Sequence, residues 1–169
     1  MNIARTTTVR SLSYSDAQTY AWSAVFVVCN IVLPQLCHLV PGGGLIWLPI
    51  YFFTLVAAYK FGFAAGLLTA VLSPVVNNLM FGMPPASVLP VILAKSVLLA
   101  AAAAFFARKA GRVALWAVAA SVVAYQAVGT MVEWGMSGSL SVAMQDILIG
   151  WPGILMQVFG GYLAMRLIR

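Results

Sequence analysis

The sequence has 169 residues, of which 63% are hydrophobic and 7% are charged, and its mean hydropathy is +1.02. A water-soluble domain of this size needs a charged shell, and nine Lys and Arg residues with three Asp and Glu residues cannot supply one. The composition therefore excludes a soluble domain and predicts an all-α integral membrane protein. The net charge of +6 does not predict a nucleic-acid partner, because basic residues in a membrane chain first have to be read as topology signals.

Six apolar stretches predict six transmembrane helices with both termini in the cytoplasm. In this arrangement every basic residue except Lys95 falls on one side of the bilayer, which is the positive-inside pattern. These residues are Arg5, Arg10, Lys60, Arg108, Lys109, Arg112, Arg166 and Arg169. Residues 1–16 are then a cytoplasmic N-terminal segment, and residues 17–169 form a six-helix transmembrane domain in the lipid bilayer.

The first predicted span, residues 17–36, has two contrasting ends. Ala17 and Ala21 form a small-xxx-small pair, which lets another helix approach closely, although packing within the bundle explains the pair equally well. At the other end three polar side chains gather, namely Asn30, Gln35 and His38. This polar end is predicted to lie on the outer side.

A glycine-rich segment, HLVPGGGLIWL at residues 38–48, follows the first span. Pro41 and the three glycines after it cannot continue a helix, so the segment is either a flexible connector or a lid. Trp47 and Tyr51 mark the membrane interface at which the second predicted span, residues 47–59, begins.

The third predicted span, residues 63–80, combines close packing with polarity. Gly62 and Gly66 at its start have GxxxG spacing, which is typical of helices that approach closely. Farther along, a polar stripe recurs every four residues. Its members are Thr69, Ser73 and Asn77, and Asn78 follows at the outer end.

Lys95 lies near the middle of the fourth predicted span, in an apolar run of about twenty residues, enough to cross a hydrocarbon core of ~30 Å. A lysine at that depth costs roughly 2.5 to 3.5 kcal/mol on insertion scales, so it should face a partner, a ligand or a wet cavity. An internal ion pair with Asp146 or Glu133 and contact with an anionic group of a ligand are both compatible with this position.

The last two predicted spans, residues 113–133 and 141–166, each carry a polar face. Gln126, Thr130 and Glu133 share one face of the fifth span. Asp146 and Gln157 share a face of the sixth. Between them the sequence GWPG at residues 150–153 predicts a break, either a discontinuous span at a transport site or a proline kink without a ligand.

The polar residues of these spans lie mostly in the predicted outer halves, so the helices are expected to converge around one outward-facing pocket. The predicted substrate-binding residues are Asn30, Gln35, His38, Trp47, Tyr51, Asn77, Asn78, Lys95, Gln126, Glu133, Asp146, Trp151 and Gln157. His38 is the single histidine and has no carboxylate at metal-ligand spacing, so no metal site is expected. No catalytic motif is present, and neither an enzyme activity nor a cofactor is predicted.

Four segments carry a family resemblance: LPQLCHLVPGG (33–43), WLPIY (47–51), GLLTAVLSPVVN (66–77) and FGMPP (81–85). Together they resemble the substrate-binding S component of energy-coupling factor (ECF) transporters. The resemblance implies a bacterial cytoplasmic-membrane protein that binds a vitamin-like micronutrient in an outward pocket beneath the first outer loop. It also implies docking through small residues (Ala17, Ala21, Gly62, Gly66) on a transmembrane scaffold subunit, which two ATPase subunits drive.

Lys95 departs from that resemblance, because a carboxylate or a neutral residue is more often expected in this span. The alternative function is a non-transport scaffold of the cell envelope, similar to rod-shape-determining membrane proteins. Such a scaffold needs no ligand. It would pair Lys95 with Asp146 internally and fill the cavity with side chains.

Overall fold

The computed structural model describes residues 8–168, which form helices with no strand beyond an isolated bridge between Thr8 and Arg112. Arg5 and Arg169, which entered the topology prediction, lie outside the described residues. In chain order the helices are α1 (Ala17–Cys37), α2 (Gly43–Trp47), a 3-10 turn (Pro49–Tyr51), α3 (Phe52–Phe61), α4 (Phe63–Phe81), α5 (Leu89–Ala110), α6 (Leu115–Ser137), α7 (Leu140–Ala143), α8 (Gln145–Leu148), α9 (Trp151–Leu155), a π-helical segment (Met156–Gly160) and α10 (Gly161–Leu167).

Four of these helices, α1, α4, α5 and α6, are long and apolar enough to cross a membrane. The chain is therefore an all-helical, multi-pass membrane protein, as its composition predicts. Their bounds lie close to the predicted ones. The largest difference is at the end of α6, which continues to Ser137 through the predicted loop at residues 134–138.

The second predicted span is not one continuous helix. The backbone breaks at Leu48, whose φ of 46° is left-handed, and Pro49 follows it. Beyond the break, α3 has only 10 residues and is about 15 Å long, half the thickness of a hydrocarbon core. Its residues from Thr54 to Phe61 are all buried, because α1, α4, α5 and α10 pack around it. Helix α3 is therefore the central element of the bundle.

Close packing of α3 against α4 depends on glycine. A Cβ atom added to Gly66 would lie 2.3 Å from the Cβ and 2.6 Å from the Cα of Ala58, so no larger residue fits there. Gly62, at φ 100°, lies beneath the N-terminal segment, with its added Cβ 3.2 Å from the Cα of Ser11. The predicted GxxxG pair is thus buried within this chain and contacts its own helices.

The sixth predicted span consists of short helices with breaks at Met144 and Gly150 and a π-helical segment before α10. The break at Gly150 lies where the sequence predicts one, and helix α2 packs against it. A Cβ added to Gly153 would lie 2.4 Å from the carbonyl oxygen of Trp47, and one added to Gly150 would lie 3.0 Å from the carbonyl oxygen of Leu45. The glycine-rich segment is therefore an ordered helical turn docked on the interrupted C-terminal helix.

The N-terminal segment packs on one end of the bundle, which carries Arg10, Lys60, Arg108 and Arg112 and which we call the basic end. The amide of Arg10 donates to the carbonyl of Lys60 at 2.8 Å, and the hydroxyl of Tyr59 donates to the carbonyl of Arg112 at 3.1 Å. Arg10 and Arg108 also line the same cavity of about 300 Å³. The structure thus brings these basic residues together at one end of the bundle.

Candidate functional site: a buried lysine between two carboxylates

Lys95 is held between two carboxylates. Its side chain is 2% exposed, and its Nζ donates to Oε2 of Glu133 and, at 2.7 Å, to Oδ2 of Asp146. The two carboxylate side chains keep 16% and 14% of their surface exposed. Both pairs that the sequence left open are therefore formed at once. We call Lys95, Glu133 and Asp146 the charged triad.

Three elements place the charged triad. Lys95 comes from α5 and Glu133 from α6, which pack along much of their length, while Asp146 lies in the first turn of α8. Gly129 makes room for the lysine, because a Cβ added to this glycine would lie 3.0 Å from Cγ of Lys95. The lysine stem thus runs over a glycine notch on α6 toward Glu133, one turn farther along the same face.

Two buried tyrosines and a glutamine form a second group in the same region of the core as the charged triad. The ring centroids of Tyr51 and Tyr125 are 5.6 Å apart at an interplanar angle of 48°, and both rings lie within electrostatic reach of Asp146. The hydroxyl of Tyr125 donates to Oε1 of Gln157 at 3.0 Å. The helix is interrupted at Gly150 between Asp146 and Gln157, so the two residues do not share one continuous helix face as the sequence predicts.

Several buried polar atoms in α5, α6 and the π-helical segment have no hydrogen-bond partner among the residues that the structure describes. They are Ser96 Oγ, both amide atoms of Gln126, Thr130 Oγ1 and Gln157 Nε2. Gln126 and Thr130 share the face of α6 that presents Gly129 to Lys95. A buried polar group without a partner costs about 1–3 kcal/mol, so the core around α5 and α6, which carry two members of the charged triad, holds unused hydrogen-bonding capacity.

The polar residues of α1 and α4 do not join this site. Nδ2 of Asn30 donates to the hydroxyls of Thr54 and Ser73 at 3.1 and 3.3 Å, and its Oδ1 accepts from the amide of Phe53 at 3.1 Å. Nearer the end of α1, Gln35 donates to Asn77 at 3.0 Å. The single common pocket predicted from the sequence is therefore wrong in this respect: the polar residues form two groups, because α3 fills the centre of the bundle.

Asn30 ties α1 to α3 and α4, and its replacement by leucine, of similar volume, is expected to destabilise the protein by about 2 kcal/mol. The substitution leaves the amide of Phe53 and two hydroxyls buried without this partner. Thermal unfolding in detergent measures the effect. Val28→Ala on the exposed side of the same helix is the control, with an expected change within about 0.5 kcal/mol. Equal stability of N30L and wild type would contradict this role of Asn30.

A cavity of about 360 Å³ opens near the polar end of α1, between α2, α4 and the start of α5. Its lining is mostly apolar and consists of Pro34, His38, Gly42, Gly44, Leu45, Pro49, Ile50, Asn77, Met83, Pro84, Pro85, Val88 and Ile92. Of the predicted substrate-binding residues only His38 and Asn77 line it. The charged triad lies outside this lining.

The remaining predicted site residues lie at the periphery. Trp47 and Trp151 are 40% and 58% exposed, on neighbouring helices α2 and α9. Nδ2 of Asn78 donates to the carbonyl of Pro84 at 2.6 Å and so holds the loop after α4. The exposure of Trp47 and Trp151 is typical of side chains at a membrane interface, and the hydrogen bond of Asn78 stabilises a loop.

Sequence reasoning missed several residues of the two polar groups. Thr54 stands alone in an apolar run and Ser96 follows Lys95 directly, so no periodic pattern marks either of them, and Gly129 is recognisable only once Lys95 lies across it. Ser73 and Thr130 belong to polar stripes that are recognisable in the sequence. They are not among the predicted binding residues, and their burial in the structure places them in the polar groups.

No group of His, Cys, Asp and Glu suited to a metal ion occurs among residues 8–168, and Cys29 and Cys37 are free thiols. Comparisons with models of protein families, with curated proteins and with solved structures found no match to this chain. The charged triad and its surroundings are therefore the basis for a functional assignment.

Proposed function

We propose that this protein is the substrate-capture subunit of an ECF-type importer in a bacterial cytoplasmic membrane, where it binds a vitamin-like micronutrient. A transmembrane scaffold subunit and two ATPase subunits complete the proposed complex. The observation that carries the proposal is the charged triad together with the buried polar atoms beside it that have no partner among the described residues. The proposed topology has six spans, with α3 and the interrupted α7–α10 region as the second and sixth, and the basic end in the cytoplasm.

Energetics favour a functional reading of the charged triad. Replacing a buried ion pair by well-packed apolar residues is often neutral or stabilising, so folding alone does not require three charges here. Ionisable residues within membrane segments most often mark a substrate or ion pathway. Unpartnered amide and hydroxyl groups next to these charges are what a ligand or water would satisfy.

Access to the site is proposed to come from the end opposite the basic end. Glu133 and Asp146 retain partial exposure, whereas Lys95 beneath them is covered. Helix α2 packs on the break between α8 and α9, so a movement of α2 would uncover the backbone that positions Asp146. We propose that α2 acts as a lid, which is one of the two roles that the glycine-rich sequence leaves open.

Docking on the scaffold subunit is proposed to use α1. Among the four long helices α1 is the least covered by the rest of the chain, with 22% of its most apolar window buried. Ala17 and Ala21 are both exposed on it, whereas Gly62 and Gly66 are buried. The proposed docking surface therefore consists of Ala17 and Ala21.

Uptake of labelled vitamins by cells that co-express this chain with its scaffold and ATPase subunits tests the proposal. Saturable uptake that requires both this chain and ATP hydrolysis is expected for one compound of the panel. Absence of uptake for every compound, by a complex shown to assemble, would contradict an import function.

The double substitution Ala17→Leu and Ala21→Leu is expected to reduce co-purification of the scaffold subunit at least tenfold, because larger side chains prevent close helix approach. Thermal stability of the isolated chain should stay within about 0.5 kcal/mol of wild type, since both positions are exposed. Ala101→Leu on the exposed surface of α5 is the matched control and should leave co-purification unchanged. Normal assembly of the double variant would remove Ala17 and Ala21 from the docking surface.

One observation favours the alternative, a ligand-free envelope scaffold: Lys95 already has two internal partners. In that function the charged triad fixes the packing of α5, α6 and α8 and nothing else. A purified chain that never retains a small molecule, in cells whose shape depends on it, would favour the scaffold over the importer.

A further inference from the structure

The charged triad has a surplus of negative charge. One ammonium faces two carboxylates, so the formal charges leave one negative charge uncompensated. Among the described residues no other Lys or Arg forms an ion pair with Glu133 or Asp146. In a low-dielectric core an unbalanced charge is costly, so the site attracts a positive charge more strongly than a negative one.

Each carboxylate has an oxygen available for a second donor. Lys95 contacts Oε2 of Glu133 and Oδ2 of Asp146, which leaves Oε1 and Oδ1. Both side chains keep partial exposure whereas Lys95 is covered, so the two carboxylates are the charged groups of the site that an incoming group meets first. An anion arriving there meets two like charges before it can reach the covered ammonium.

Aromatic and amide groups of the same region also favour a positively charged ligand over an anionic one. The rings of Tyr51 and Tyr125 pack on each other in the same buried region as Asp146, and aromatic faces attract organic cations. The amides of Gln126 and Gln157 hold donor and acceptor atoms without partners among the described residues, which suits a ligand with neutral polar groups near its charge.

We propose that the ligand of this site is a small organic cation, a protonated amine or a quaternary nitrogen on a planar body, bound by Glu133 and Asp146. Lys95 is then a fixed counter-charge that holds the two carboxylates together and does not contact an anionic ligand. This proposal rests on the proposed capture function and names its substrate class, whereas the sequence alone left carboxylates and phosphates open as ligands of Lys95.

Three probes of similar size and different charge test this assignment on the full chain in lipid nanodiscs: benzylamine, benzyl alcohol and benzoate. Saturable binding, followed by tryptophan fluorescence and thermal stabilisation, is expected for benzylamine at least tenfold tighter than for benzoate, with benzyl alcohol between them. This comparison needs no variant, so it does not depend on the folding of a mutant.

Glu133→Gln and Asp146→Asn each neutralise the charged triad with little change of shape, and each is expected to weaken benzylamine binding at least tenfold. Asp16→Asn is the control, because Asp16 is the third acidic residue of the chain and accepts a hydrogen bond from Ser13 at 2.8 Å near the basic end. Benzylamine affinity should be unchanged in this control.

Tighter binding of benzoate, absence of saturable benzylamine binding, or unchanged benzylamine affinity in both neutralised variants would overturn the cation assignment. The import function is tested separately. Uptake of a neutral or anionic vitamin would leave importer function intact and refute only the ligand class, whereas cation binding without uptake in any assembled complex would refute only the importer.

Discussion

Replacement of Lys95 by methionine is expected to destabilise the protein by about 3 kcal/mol, measured by thermal or detergent-induced unfolding. Removal of one partner of a buried ion pair typically costs about 3–5 kcal/mol, because the other charge stays buried without compensation. Here the two carboxylates keep 16% and 14% exposure, which places the expected value at the lower end of that range. Methionine fills most of the lysine volume, so loss of packing contributes little.

A triple variant separates charge from packing. Lys95→Met combined with Glu133→Gln and Asp146→Asn removes all three charges, and it is expected to recover most of the stability that Lys95→Met alone loses. Lys109→Met at the exposed end of α5 is the control for loss of a surface lysine and should change stability by about 0.5 kcal/mol or less. Wild-type stability of K95M would show that the carboxylates do not need the ammonium.

Substitution of Gly66 by alanine is the second large effect and is expected to cost about 3 kcal/mol. The added methyl would lie 2.3 Å from the Cβ of Ala58 and 2.6 Å from its Cα, so relief requires the backbones of α3 and α4 to separate. Since α3 is the central helix, that displacement also disturbs its contacts with α1 and α5. Unfolding in detergent measures the loss, and a leucine at the same position should prevent folding.

Gly135→Ala in α6 provides the matched control, because no atom lies within 4 Å of the Cβ position there. In an open helical position, alanine is more favourable than glycine by roughly 0.5–1 kcal/mol, so G135A is expected to be as stable as wild type or slightly more stable. A G66A protein as stable as G135A would contradict the close approach of α3 and α4.

The sequence predicts the long helices well because their ends are marked locally. Helix α1 follows a polar segment. Helix α4 ends before Gly82 and α5 ends at a basic turn before Gly111, and both of these glycines have a positive φ. The break near Gly150 was also predictable, since Gly150 and Pro152 weaken any helix that spans them.

The failures have a common physical origin in tertiary packing. An apolar run such as residues 47–59 does not show whether a helix faces lipid or the inside of a bundle, so the sequence did not reveal that α3 is only 10 residues long and that its residues from Thr54 to Phe61 are all buried. Helix α6 continues past Gly135, although glycine there favours a loop. A single glycine in a helix costs less free energy than the hydrogen bonds of the additional helical turn contribute.

The location of the site was predictable in part. The position of Lys95 near the middle of a predicted membrane span indicates that its charge needs a partner. Only two carboxylates, Glu133 and Asp146, lie within predicted membrane spans and can supply one. Whether Asn30 joins them depends on what lies between α1 and α5, and no spacing along the chain encodes the central position of α3. The separation of the polar residues into two groups therefore required the structure.

Native mass spectrometry of the protein, released from nanodiscs prepared from its own host membrane, tests the central claim most directly. One small organic molecule per chain is predicted, bound in wild type and lost in Glu133→Gln and Asp146→Asn. A chain that is free of small molecules in every preparation, from cells supplied with the full range of vitamins and precursors, would contradict a capture function for the charged triad.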